Sequence, residues 1–319
     1  MDWTDRHCRV FHRTLTRHAV LYTEMVTARA IKFGDRHKLL DFDAAEQPLV
    51  LQLGGSEPEV LAEAARIGEE WGYSQINLNV GCPSDRVQGG HFGACLMAEP
   101  KLVADCVVAM QSTVQIPVTV KCRIGIDDQD AEEDLQNFVK NVSDAGCETF
   151  IVHARKAWLK GLSPKENREI PPLDYDRVHR LKASFPKLTI LLNGGLENYE
   201  MIQENTDKLD GVMIGRAAYH NPWILAGVDH QYTDQLAPVR NRRGAVDAMQ
   251  PYIESHLRDG LPLHRITRHM LGLYHGQPGG RIWRQILSTE GCKAGAGVEV
   301  LLHAVAAVEE QAERVAQAA

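Results

Sequence analysis

A chain of 319 residues is long enough for one large α/β domain with a smaller appendage, and a composition of 44% hydrophobic and 24% charged residues excludes global disorder. No apolar run approaches the roughly 20 residues that a membrane span requires, so a cytoplasmic protein without membrane attachment is expected. The net charge of −7 speaks against nucleic acid only as an average, because nine Arg or Lys stand against four acids between residues 238 and 293, a basic part that can hold a polyanion locally.

A helical segment over residues 5–17 comes first. Seven short apolar, β-branched runs follow, at 21–26, 49–53, 75–79, 118–121, 149–153, 189–193 and 211–214. Between them lie amphipathic stretches at 58–71, 100–112, 132–145 and 175–184, with Pro near several helix starts. This alternation predicts parallel strands joined by helical crossovers. Runs such as Ile190-Leu191-Leu192 fit a sheet covered on both faces, which is either a closed barrel or an open doubly wound sheet. Polar residues at the end of nearly every run favour the barrel, where all strand ends meet at one mouth. The expected fold is therefore an α/β (β/α)8 TIM barrel with seven strands in evidence and its first strand apparently missing. From about residue 238 the pattern is helical only, with candidates at 245–258, 263–273 and 298–318, so the domains are drawn at 1–236 and 237–319.

Several strand ends carry chemistry. Asn193-Gly194-Gly195 and Gly215-Arg216 follow successive strands, where backbone N–H groups can approach a phosphate and Arg216 can add a charged fork. Lys121 ends a strand inside the barrel, where an unpaired ammonium is costly, so it calls for an anionic partner. A reduced flavin offers one on its pyrimidine ring, and an acid from a neighbouring strand is the alternative. Gln52 and His153 offer directional hydrogen bonds at the same mouth.

The seven cysteines include no Cys-x-x-Cys pair, which leaves no disulfide framework or zinc site, and no metal is expected. Most should be small buried hydrophobes. Cys82 differs, because it lies in a Gly-Cys-Pro loop three residues beyond the strand-end Asn79. A thiol with an ordinary pKa of ~8.5 is mostly protonated at neutral pH and suits proton donation more than nucleophilic attack.

Taken in order, Met1-Asp2-Trp3-Thr4-Asp5-Arg6, Gln52-Leu53-Gly54-Gly55, Asn77-Leu78-Asn79-Val80-Gly81-Cys82-Pro83, Val120-Lys121-Cys122-Arg123-Ile124-Gly125, Val152-His153-Ala154-Arg155, Asn193-Gly194-Gly195 and Gly215-Arg216 resemble the tRNA-dihydrouridine synthases, most closely their A-type subfamily. The resemblance spans nearly the whole chain. It implies an FMN-holding barrel, a helical C-terminal domain that grips tRNA, and NADPH, or NADH, as reductant. Family members begin with a strand ending in Ala-Pro-Met, of which Met1 alone is present here.

By that resemblance Met1, Gln52, Lys121, His153, Asn193, Gly194, Gly195, Gly215 and Arg216 hold FMN, and Cys82 is the catalytic acid. Asn79 contacts the target base. Arg168 and Pro171, in Asn167-Arg168-Glu169-Ile170-Pro171-Pro172-Leu173, and Arg281 and Arg284, in Arg281-Ile282-Trp283-Arg284, contact tRNA. The implied reaction reduces D-loop uridines 20 and 20a to 5,6-dihydrouridine, with hydride from flavin N5 to C6 and the Cys82 proton to C5. The uridine has to leave its stack first. The implied enzyme is a monomer. Two rivals remain at this stage: an FMN barrel oxidoreductase acting on a free pyrimidine, and a tRNA-binding protein with impaired catalysis.

Overall fold

The computed structural model describes residues 3–233 and 235–318. The chain packs into two compact units. One comprises Tyr22–Phe42 and Gln47–Gly215, and the other Met1–Leu21, Asp43–Glu46 and Arg216–Ala319.

The first unit carries the sheet. Its strands are β1 (Leu21–Tyr22), β2 (Val26–Thr27), β3 (Leu49–Gly54), β4 (Gln75–Val80), β5 (Val118–Arg123), β6 (Thr149–His153), β7 (Thr189–Asn193) and β8 (Gly211–Met213). Every pair from β2·β3 to β7·β8 is parallel, and from β3 onward the strands lie in chain order. An open doubly wound sheet would reverse direction at a switch point. Here the order never reverses, which is the winding of a (β/α) barrel. The two ends of the path, β8 and β1, are not paired among the described residues.

All seven predicted runs are strands, with one difference at the first. It is split into β1 and β2, which both lie along β3. Between them the Thr23 hydroxyl accepts the Gln52 amide hydrogen at 3.0 Å, so a side chain takes a bond that a backbone carbonyl would otherwise make. Covering helices such as Pro58–Trp71, Pro100–Gln111, Glu132–Asp144 and Tyr175–Ser184 run between successive strands. They bury Leu61, Val103, Phe138 and Leu181, while the strands bury Leu51, Ile76, Val120, Phe150 and Ile190. Near-continuous apolar strands are the signature of a sheet covered on both faces.

The second unit is helical. Asp5 caps Arg6–Arg13 by accepting from the backbone of His7 and Cys8, and Asn241 caps Arg242–Arg258 through Gly244. Trp283, on the helix Gly280–Thr289, is fully buried and donates its indole N–H to the Met270 carbonyl at 2.9 Å. Asp229 is also fully buried, and its carboxylate accepts from the Thr16 hydroxyl and the amides of Arg17 and His18. These bonds tie the helix Val228–Thr233 to the segment after the N-terminal helix, and Arg268–Asp5 at 2.6 Å and His7–Tyr252 at 2.8 Å tie that helix to the C-terminal ones. The packing therefore divides at Gly215 and Arg216 rather than at the expected 236/237 boundary.

The predicted helix at 263–273 is regular only over His264–Thr267. Beyond it Gly272 abuts the His220 carbonyl, an approach that a side chain would block. No described helix is long and apolar enough to cross a membrane.

Candidate active site

The strand ends of the sheet carry a connected set of polar side chains. In parallel register Gln52 stands beside Asn77, Asn77 beside Thr119, and Asn79 beside Lys121. Gln52 donates to Asn77 Oδ1 at 2.9 Å, Asn77 donates to Thr119 Oγ1 at 2.9 Å, and Asn79 donates to Gln52 Oε1 at 2.8 Å. Such a ladder fixes each amide's orientation inside a covered sheet, where an unpaired polar group would be costly.

Asn79 also shapes the loop that follows. Its Oδ1 accepts from the backbone of Gly81 at 3.0 Å and of Cys82 at 2.9 Å, which turns the chain and presents a part-exposed Cys82. The thiol lies 3.8 Å from Ser84 Oγ, and the Cys82 carbonyl accepts from Ala94 N–H at 2.9 Å. Gly93, at φ +78°, leaves room for that carbonyl, because a Cβ there would stand 2.5 Å from it. With Oδ1 doubly used, Asn79 keeps one amide hydrogen for a ligand.

Lys121 donates to Asn193 Oδ1 at 3.0 Å, and Asn193 donates to the Met213 carbonyl at 2.8 Å. The alternative of a neighbouring acid is not realised: among the described residues no carboxylate pairs with this ammonium. Burial pulls its pKa down to about 8, and the nearby Arg123 charge adds to the fall. His153 lies beside Asn193 in register and is buried. Gly194 (φ +111°) and Gly195 (φ +69°) follow, and a Cβ on Gly194 would fall on the His153 ring. Tyr175 donates to the Gly194 carbonyl at 2.7 Å, which ties the turn to the start of the preceding helix, Tyr175–Ser184. Gly215 has open space where a Cβ would stand, and Arg216 begins the helix Arg216–His220.

The remaining expected site residues are more scattered. Arg168 is exposed at the end of a short turn, whereas Pro171 is buried and its carbonyl accepts from Arg155. Arg281 and Arg284 are exposed, three residues apart on the helix Gly280–Thr289, which buries Trp283 and Leu287. That helix has no acidic residue to neutralise them. Met1 lies outside the described residues.

Two residues of the site were not singled out from the sequence. Arg123 is only 3% exposed, and it donates from Nε to the Gly81 carbonyl at 2.8 Å. Its strand position, two beyond Lys121 and hence on the same side of β5, is the signal that could have marked it. Burial lowers its pKa to about 10, the Cys82 sulfur working against the fall and the charges of Arg168 and Arg155 adding to it. Gln88 reaches back from the short helix Asp85–Gly89 to the Pro83 carbonyl at 2.9 Å. Nothing in its residue type marks it.

A parallel barrel whose strand ends bring a part-exposed cysteine, an ammonium with no carboxylate partner among the described residues and a glycine turn together defines an α/β-barrel enzyme. The chain belongs to the dihydrouridine synthase family, whose model matches residues 1–311. A Synechocystis protein is 57% identical over 307 residues, covering 96% of this chain and 92% of its own. A Vibrio parahaemolyticus protein is 57% identical over 312 residues, covering 98% and 95%. Both carry the name tRNA-dihydrouridine(20/20a) synthase. Among solved structures, a 2-naphthoyl-CoA reductase in complex with 2-naphthoyl-CoA aligns with a TM-score of 0.55 at 9% identity. The alignment covers 72% of this chain and 47% of that one, and it supports the barrel fold alone.

Proposed function

We propose that this enzyme reduces uridines 20 and 20a in the D-loop of tRNA to 5,6-dihydrouridine, with FMN as cofactor and NADPH, or NADH, as reductant. The observation that carries the reading is Lys121: a cation with no carboxylate partner, on the strand next to the one that leads into the Cys82 turn. An ammonium so placed fits a ligand that brings negative charge, as the pyrimidine ring of a reduced flavin does.

Gln52, Lys121, His153, Asn193 and the Gly194-Gly195 turn are the proposed flavin contacts, with Gly215 and, next in sequence, Arg216 at its phosphate. When bound, the reduced flavin supplies a hydride to C6 of the uracil. Cys82 gives its thiol proton to C5, so the C5=C6 double bond becomes a single bond and the thiolate is reprotonated from solvent. Asn79 holds the thiol's backbone in place and turns its remaining amide hydrogen to the base. Arg281 and Arg284, with no acid on their helix, together with Arg168 and the turn at Pro171, are the proposed tRNA contacts.

The test combines an absorbance spectrum with a reduction assay. The purified protein is expected to be yellow, and to consume NADPH with tRNA lacking dihydrouridine but not with free uridine or uracil. Turnover of the free base without turnover of tRNA would replace the RNA substrate by a free pyrimidine.

A further inference from the structure

Gly81 and Pro83 flank Cys82, and each has its carbonyl held by a side chain that also holds the loop after β6. On one flank Arg123 donates from Nε to Gly81 O at 2.8 Å. From Nη1 it donates to the carbonyls of Lys156 at 3.1 Å, Asn167 at 3.1 Å and Arg155 at 3.4 Å. On the other flank Gln88 Nε2 is shared between Pro83 O at 2.9 Å and Leu159 O at 2.8 Å.

The loop that these donors reach is braced internally. Asn167 is fully buried, accepts from Trp158 N–H at 2.8 Å and donates to the carbonyls of Trp158 at 2.9 Å and Leu162 at 3.1 Å. The two bridges thus join the Cys82 turn to a loop that has its own internal hydrogen bonds.

We infer that Arg123 and Gln88 are positioning residues that clamp the Cys82 turn from both sides to the loop over residues 155–168, and so hold the thiol in line with its target carbon. A buried guanidinium without a carboxylate partner is expensive, and the carbonyls it spans are what offset that cost here. The inference rests on the reading of Cys82 as the acid.

The experiment compares Gln88→Ala, Arg123→Met, Arg123→Lys and the Gln88→Ala/Arg123→Met double variant, using the flavin-loaded protein and tRNA lacking dihydrouridine. Misplacing a reacting group by about 1 Å can cost on the order of 100-fold in rate. Arg123→Met is expected to lose kcat on that scale, and Gln88→Ala several-fold, with KM for tRNA and flavin content unchanged. Since either release frees the same turn, the double variant should fall little below Arg123→Met. Arg123→Lys keeps the charge but cannot span both loops, so it should not restore kcat.

A second readout does not depend on turnover. In Gln88→Ala, which alters no charge, the iodoacetamide alkylation rate of Cys82 should change, while those of Cys95 and Cys292 stay constant. Full rescue by Arg123→Lys, additive losses, or an unchanged Cys82 alkylation rate would overturn the clamp. Full turnover of Cys82→Ala would instead overturn the acid assignment and leave the alkylation test of the clamp standing.

Discussion

The two sides of the site are built on opposite plans. Around Cys82 every flanking backbone group is engaged: Asn79 holds two amides, Arg123 and Gln88 hold the carbonyls on either side, and Ala94 holds the carbonyl of Cys82 itself. Around Lys121 the reverse holds, with an ammonium that has one amide oxygen and, among the described residues, no carboxylate partner. Under the proposed function, with Cys82 as acid and Lys121 facing the cofactor, the difference separates two physical tasks. A proton donor has to be placed before substrate arrives, because misplacement costs rate, whereas a ligand site keeps binding energy in reserve by leaving a charge unsatisfied until the ligand supplies its partner.

The largest effect should come from removing the over-determined side. Cys82→Ala is expected to lower kcat by roughly 10²- to 10⁴-fold, the usual contribution of a positioned general acid, with flavin content and tRNA affinity retained. Measured dihydrouridine formation checks this, and parallel loss of flavin would mean that the turn also builds the cofactor pocket.

Next comes the under-satisfied side. Lys121→Met should weaken FMN binding to the flavin-free protein by about 10- to 100-fold, the scale of a hydrogen bond to a charged group, read by fluorescence titration. The sign of the pH dependence follows from the same lysine. Its pKa in the folded, ligand-free protein is lowered to about 8 by burial, against a higher value in the unfolded chain. The unfolded chain therefore binds more protons between those values, and the stability of the ligand-free protein rises with pH through that window. FMN affinity should move the opposite way, falling above about pH 8 as the ammonium is lost, and Lys121→Met should flatten both trends.

Smaller effects sharpen the contrast at its margins. Gly194→Ala places a Cβ on the His153 ring at a backbone angle that disfavours side chains, and it should cost ~1–3 kcal/mol of stability by denaturant unfolding. Arg281→Ala and Arg284→Ala should each weaken tRNA binding a few-fold and lower the slope of log affinity against log salt by about one, with kcat at saturating tRNA unchanged.

How much of this could be read in the sequence depended on where the information lay. Strands such as Thr149–His153 and Thr189–Asn193 stand where their apolar runs placed them, because a strand buried on both faces writes itself as a continuous run. Cys82, Lys121 and Asn193 were legible from their places just after such runs. Arg123 and Gln88 were not, because what matters is the backbone carbonyls that they reach, and a carbonyl leaves no mark on residue type. The split of the first strand has the same origin, a Thr23 hydroxyl replacing a ladder bond. The boundary at 236/237 followed the change in charge and periodicity. Neither of these can tell that the helices around Arg216–His220 and Val228–Thr233 pack with the C-terminal ones.

The most direct measurement is a single turnover. Protein carrying a full complement of reduced flavin is mixed anaerobically with tRNA lacking dihydrouridine, and flavin reoxidation is followed by absorbance for the unaltered chain and for Cys82→Ala. A reoxidation rate lowered by two or more orders of magnitude at saturating tRNA, with flavin still bound, is the predicted result. Equal rates for the two proteins, with dihydrouridine formed by both, would contradict the assignment of Cys82 as the proton donor.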